Sequence, residues 1–231
     1  MISMPFYKSS LRVVLGLFLI ALVGCATESH QTVEVTPVQT HQTPYHGIKS
    51  TLVVGQFENR SSYMHGIFSS GADELGNQAR TILKAGLQQT NHFNVVDRAN
   101  MKVLEEEAGY SGVSQKISGA RYVVSGAITE FGRKVTGDKQ LFGILGRGKT
   151  QTAYAKATLN IVDVKSSEII YSTQAAGEYE LSNREVIGFG GTAGYDSTLN
   201  GKVLNLAITE AVNNIVSDMH NGVLTLENAT K

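Results

Sequence analysis

Gly143-Ile144-Leu145-Gly146-Arg147-Gly148-Lys149-Thr150 has the spacing G-x-x-x-x-G-K-[ST]. In a phosphate-binding loop of that spacing, backbone N–H groups cradle phosphates, the lysine reaches the β and γ oxygens, and the hydroxyl holds magnesium. That geometry needs a buried strand before the loop and a helix after it. Thr136-Gly137-Asp138-Lys139-Gln140 precedes the octet and is no core strand, while the residues that follow alternate as a strand does. The octet therefore reads as a glycine-rich hairpin tip, and a nucleotide hydrolase is the least supported class. Gly188-Phe189-Gly190-Gly191-Thr192-Ala193-Gly194 lacks the placement after a strand that a dinucleotide loop requires. Four histidines, His30, His41, His46 and His65, match no zinc-ligand spacing and read as solvated. Asp196 and Ser197 suit a helix cap better than catalysis. The expectation is a protein that is not an enzyme and carries no cofactor and no metal.

The single cysteine, Cys25, has a chemistry set by its context. It follows Leu22-Val23-Gly24, which end an apolar run begun at Val13; Lys8 and Arg12 precede that run, and no acid occurs before Glu28. A basic stretch, a short apolar stretch and small residues at the cut describe a secretory signal. The apolar run is shorter than the ~20 residues a bilayer span needs. A cysteine directly after Leu-Val-Gly resembles the bacterial lipoprotein signal. That resemblance implies cleavage after residue 24, with Cys25 as the mature N-terminus and its thiol carrying diacylglycerol. Ala26 and Thr27 follow. The aspartate that resembles an inner-membrane retention signal is absent there, which points to the periplasmic side of the outer membrane. With its one thiol acylated, the mature chain has no disulfides although its compartment would allow them. Twenty basic and twenty acidic residues balance, so nothing suggests a nucleic-acid partner.

Residues 25–47 are polar, with Pro37 and Pro44, and lack apolar periodicity; they read as a flexible tether. The folded part is expected over 48–222, with a tail at 223–231. Strands are predicted at 52–57, 93–96, 121–129, 152–164 and from 169. A helix over 72–89 carries the stripe Leu75, Ala79, Ile82, Leu83, Leu87. A short helix over 101–107 is capped by Asp97 or Asn100. A last helix over 202–219 has the stripe Leu204, Ile208, Ala211, Ile215, Met219, stopped by Gly222. The order β-α-β-α-β-β-β-α predicts an α+β fold, a mixed sheet flanked by helices. Residues 131–151 and 177–201 are longer than ordinary connections. Such connections are usually functional or disordered, and a third option is an extended β-hairpin that leaves the domain.

Several pieces resemble the CsgG family, the outer-membrane lipoproteins of the curli secretion channel. They are, in order, the cysteine at 25, the helix Leu75 to Leu87 running into His92-Phe93-Asn94-Val95-Val96-Asp97-Arg98, then Met101-Lys102-Val103-Leu104-Glu105-Glu106-Glu107. Gly119-Ala120-Arg121-Tyr122-Val123-Val124-Ser125-Gly126-Ala127-Ile128 follows, and Leu159-Asn160-Ile161-Val162-Asp163-Val164 with its continuation to Ile170. The resemblance implies a homo-oligomeric ring in which two hairpins per subunit, here 129–161 and 174–200, build part of a transmembrane β-barrel. The partners would be outer-membrane lipid and an unidentified secreted protein or envelope partner. On this view Ala153, Ala155 and Ala157 of 152–161 face lipid, as do Tyr179 and Leu181. The family's pore is narrowed by a loop bearing a tyrosine, an asparagine and a phenylalanine. Tyr63 and Phe68 are the candidates here, but Ser70 and Gly71 stand where the last two would align, so curli specificity is not implied. Tyr63 and Phe68 read equally as loop residues packed on the domain. The alternative is a periplasm-facing lipoprotein that binds or regulates an envelope partner without a pore, resembling activators of cell-wall synthases.

Replacing the acylated thiol separates anchoring from folding. Cys25→Ser is expected to abolish incorporation of labelled palmitate and to move the protein out of the membrane fraction; label retained by the variant would place the lipid elsewhere.

Overall fold

A computed structural model describes residues 45–63, 73–139, 147–185 and 199–227. The elements in chain order are β1 (Ser50–Asn59), α1 (Glu74–Gln89), β2 (Phe93–Val96), α2 (Met101–Tyr110), β3 (Tyr122–Lys139), β4 (Arg147–Asp163), β5 (Ile169–Glu185) and α3 (Leu199–His220). They form a mixed α+β fold in the predicted order. The five strands make one sheet ordered β2-β1-β3-β4-β5. β1 lies parallel to β2 and to β3, whereas β3, β4 and β5 form an antiparallel ladder. Parallel neighbours need a crossover, and α1 and α2 lie in the two crossovers.

Apolar spacing decides which face is covered. In α1, Leu75, Ala79, Leu83 and Leu87 recur at intervals of four and are buried. In α3, Val203, Leu204, Ala207, Ile208, Ala211 and Ile215 form a broader buried stripe. Both helices pack over the sheet, α3 lying across β4 and β5 and α1 beside it over β1. α3 ends where Gly222 takes φ 72°, with Val223 N–H donating to Asp218 O at 2.9 Å. That bond satisfies a carbonyl the helix end would leave free. The Tyr171 hydroxyl donates to Asp218 Oδ2 at 2.6 Å and ties the end of α3 to β5. Burial, then that carboxylate, pushes the Tyr171 phenol up to about 12. α2 differs from the other two helices, since none of its residues is buried. Its N-cap residue, Asn100, makes no side-chain capping bond. Asp97 instead accepts from Ala99 N–H at 2.9 Å and from Lys84 Nζ at 3.0 Å. The lysine is the main reason its carboxyl falls to about 2.

The structure extends one expectation and corrects another. Strand runs on beyond the predicted limits into the long connections: β3 continues to Lys139 against β4 from Arg147, and β5 continues to Glu185, while residues 140–146 and 186–198 lie outside the described residues. The period of two was hidden by a β-bulge between Ile128 and Glu130. A bulge adds a residue to one strand and flips the faces beyond it, so Ile128 and Phe131, three apart, are both buried. Second, Ala153, Ala155 and Ala157 do not face outward. They are 0–1% exposed and belong to the core beneath the helices. Tyr179 also packs against that core, with Lys202 Nζ 5.1 Å from its ring centroid. The alternation was real, but its small apolar side is where α3 settles. The side chain of Leu181 lies outside the described residues.

Gly177 marks a close approach of α3 to β5. A Cβ there would lie 2.8 Å from Ala207 N and from Leu206 Cβ, and 2.9 Å from Val203 O. Gly177→Val is expected to lower stability by roughly 1–3 kcal/mol through overpacking. Urea denaturation would show this, and an unchanged midpoint would mean that α3 does not rest on β5 at this point.

Candidate functional site

β1 and β3 run in the same direction, so the end of β1, the start of α1 and the β3–β4 tip lie toward one end of the sheet. There the loop between β1 and α1 is fastened at both bases. Asp73 Oδ1 accepts from Gly76 N–H at 2.7 Å as the N-cap of α1, and its Oδ2 accepts from Asn59 N–H at 2.8 Å. Asn59 Nδ2 donates to Tyr63 O at 2.9 Å, and Asn59 Oδ1 accepts from Ser61 Oγ at 2.6 Å. The carboxylate thus joins the last strand residue to the first helical turn.

Tyr63 lies in this fastened segment. Its ring packs on Phe131 with centroids 4.6 Å apart and planes at 46°, against the edge of the core. This is the packed arrangement that the sequence offered as one of its two readings. Phe68, Ser70, Gly71 and Cys25 lie outside the described residues, as do residues 143–146 of the phosphate-loop-like octet; Arg147 to Thr150 open β4.

On the sheet face away from the helices is an open groove of about 260 Å³, bounded by Glu58, Arg60, Ser125, Thr129, Thr158 and Asn160 among others. Arg60 Nη2 pairs with Glu58 Oε2 at 3.1 Å, and Lys156 Nζ with Glu130 Oε1 at 2.8 Å across the neighbouring strands. Ser172 Oγ donates to Asn160 Oδ1 at 2.7 Å. Thr158 Oγ1 is buried and has no hydrogen-bond partner among the described residues. These are hydrogen-bonding hydroxyls and amides with charges of both signs, a surface suited to recognising polar groups. Among the described residues no three His, Cys, Asp or Glu side chains converge as metal ligands. No described helix is long and apolar enough to cross a membrane, which says nothing of strands.

At the opposite end Arg121 and Asp163 are joined at 2.8 Å. Burial pushes the Asp163 carboxyl up, but the Lys165 N–H, the Arg121 guanidinium and the Ser166 N–H together hold it below the usual carboxylate range. The predicted β4–β5 turn is closed by these bonds. Sequence reasoning missed the double role of Asp73. An aspartate three residues before a helical N–H is a recognisable cap, but its reach to Asn59 depends on the fold.

Fold and groove together define an α+β domain built on three long antiparallel strands. The chain belongs to the CsgG family, described as curli production assembly/transport component CsgG, which matches residues 34–230. It is 60% identical over 213 residues to "Putative lipoprotein NMB1126/NMB1164" of Neisseria meningitidis serogroup B, covering 92% of this chain and 96% of that one. Among solved structures it is similar to the PelC dodecamer from Paraburkholderia phytofirmans, at 17% identity and a TM-score of 0.36, covering 74% of this chain and 91% of that one. It is also similar to lipoprotein GNA1162 from Neisseria meningitidis, at 19% identity and a TM-score of 0.32, covering 74% and 99%.

The clip at the loop base is open to test. Asp73→Ala is expected to cost about 1 kcal/mol as a lost helix cap. Asp73→Ser, able to cap Gly76 but too short to hold Asn59 as well, should recover only part of it. Equal stability of all three proteins in thermal melts would remove the clip as a structural element.

Proposed function

We propose that this protein is an outer-membrane lipoprotein, held on the periplasmic side by lipid on Cys25, that acts as a ring or channel subunit in secretion or assembly of a cell-surface component. It works without catalysis, as a conduit or scaffold. Membership of the CsgG family is the observation that carries this reading. The 60% identical relative, itself named a lipoprotein, supports the anchor. Strand length supports the rest. β3 has 18 residues and runs 11 past Ile128, its last pairing with β1. A barrel strand needs ~9–11. The far ends of β3, β4 and β5 would then be the hairpin extensions, pairing with neighbouring copies so that no strand edge is left open.

A second reading has its own support. Gln151, Ala153, Ala155 and Ala157 are buried within the protomer, so this stretch of β4 presents no surface to lipid on that side. A periplasm-facing lipoprotein that binds or regulates an envelope partner, with no membrane-spanning barrel, needs no such surface. The polar groove beside the fastened loop is then the place for the partner.

Electron microscopy of the detergent-purified lipoprotein separates the two. Rings with a detergent belt around strands, surviving as heat-stable oligomers on gels, are expected if the protein is a channel subunit. Monomers, or rings with no belt, would reject the channel and leave the partner-binding reading.

A further inference from the structure

His92 is fully buried between β1, the end of α1 and the end of α3, yet lies outside the groove and the loop described above. Its Nδ1 is 2.7 Å from Thr90 O, its Nε2 is 3.2 Å from Nε2 of His220, and the ring of Tyr45 stacks on it with centroids 4.2 Å apart. Tyr45 lies near the C-terminal end of the stretch 25–47 that reads as the tether, five residues before β1. We propose that Tyr45, His92 and His220 form an acid-released clamp that fixes the point at which the N-terminal tether leaves the fold.

The hydrogen-bond chemistry is directional. A carbonyl oxygen only accepts, so the proton of neutral His92 sits on Nδ1 and its Nε2 presents a lone pair. His220 must then donate its Nε2–H. One added proton is accommodated at His220 Nδ1 without breaking that bond. A second, on His92 Nε2, leaves two N–H donors facing each other at 3.2 Å. Lys49, at the end of the same segment, adds a third cation. It is held on Asn91 Oδ1, while the nearby carboxylate of Asp218 is turned to Tyr171 on β5.

The groups acting on His92 run the same way. Burial lowers its pKa from the ordinary 6.5; the Thr90 carbonyl opposes this, and His220 and Lys49 reinforce it. A released His92 therefore binds protons more readily than a clamped one. The clamp is fully present above pH 6.5 and weakens as pH falls below it. Release of residues 45–49 would lengthen the tether by up to about 17 Å.

Limited proteolysis of the detergent-purified full chain within residues 45–50 tests this, with each rate divided by that of a free peptide of the same sequence at the same pH. Protection is expected at pH 7.5 and should fall about tenfold or more at pH 5.0. His220→Gln keeps an amide that can donate to or accept from His92 but cannot charge, so this variant should stay protected at pH 5.0. Tyr45→Ala should be unprotected at both values. Equal protection of the wild-type chain at the two pH values would overturn the proposal. So would loss of protection in His220→Gln at pH 5.0 matching that of the wild type.

Discussion

The seating of α3 on β4 and β5 is the contact on which the rest of the structure depends. It is made by removing side chain rather than adding it. Ala155 and Gly177 are register partners on neighbouring strands, and the backbone at Ala207 sits directly over Gly177. Burial of the larger α3 side chains, Leu204, Ile208 and Ile215, then follows at full depth. Each such side chain is worth roughly 1.5–3 kcal/mol when removed from water. Because α3 occupies this face, the groove open to partners among the described residues lies on the other side, and it is polar.

The sequence disclosed element order better than element length. A stripe at three- and four-residue spacing located both long helices to within a few residues, and the β-branched pair Val53-Val54 marked the middle of β1. The extent of β3 was hidden because the bulge at Thr129 reverses its faces and because Arg133 and Lys134 interrupt any apolar pattern. A pattern of alternating alanines reports a buried face, but not whether helix or lipid buries it. Only the position of α3 resolves that for β4.

The candidate site was less legible, for a physical reason. The Asp73 clip spans 14 residues to Asn59, and the His92–His220 pair spans 128. Neither has a local spacing to recognise, since each is assembled by the sheet and the helices over it. The Tyr63 side chain was visible as an aromatic in a polar loop, and its contact with Phe131 exists only because the bulge turns Phe131 toward the core.

The two ends of the sheet are built differently. At one end β1 begins, α3 stops, the β4–β5 turn closes on Arg121 and Asp163, and Glu227 N–H donates to the Tyr122 hydroxyl at 2.8 Å. The chain enters and leaves the fold there. At the other end lie the fastened loop and the β3–β4 tip. A strand of 17 residues is about 55 Å long, so the entry point and the tip are separated by a distance of that order. A flexible chain of about twenty residues has an r.m.s. reach of about 25 Å. If the chain is lipidated at Cys25, as proposed, a membrane beside the entry end lies within that reach, whereas one at the far ends of β3 and β4 lies about twice as far away. A ring that inserted those far ends would have to offset the cost of extending the tether, and contacts between copies are the source open to it.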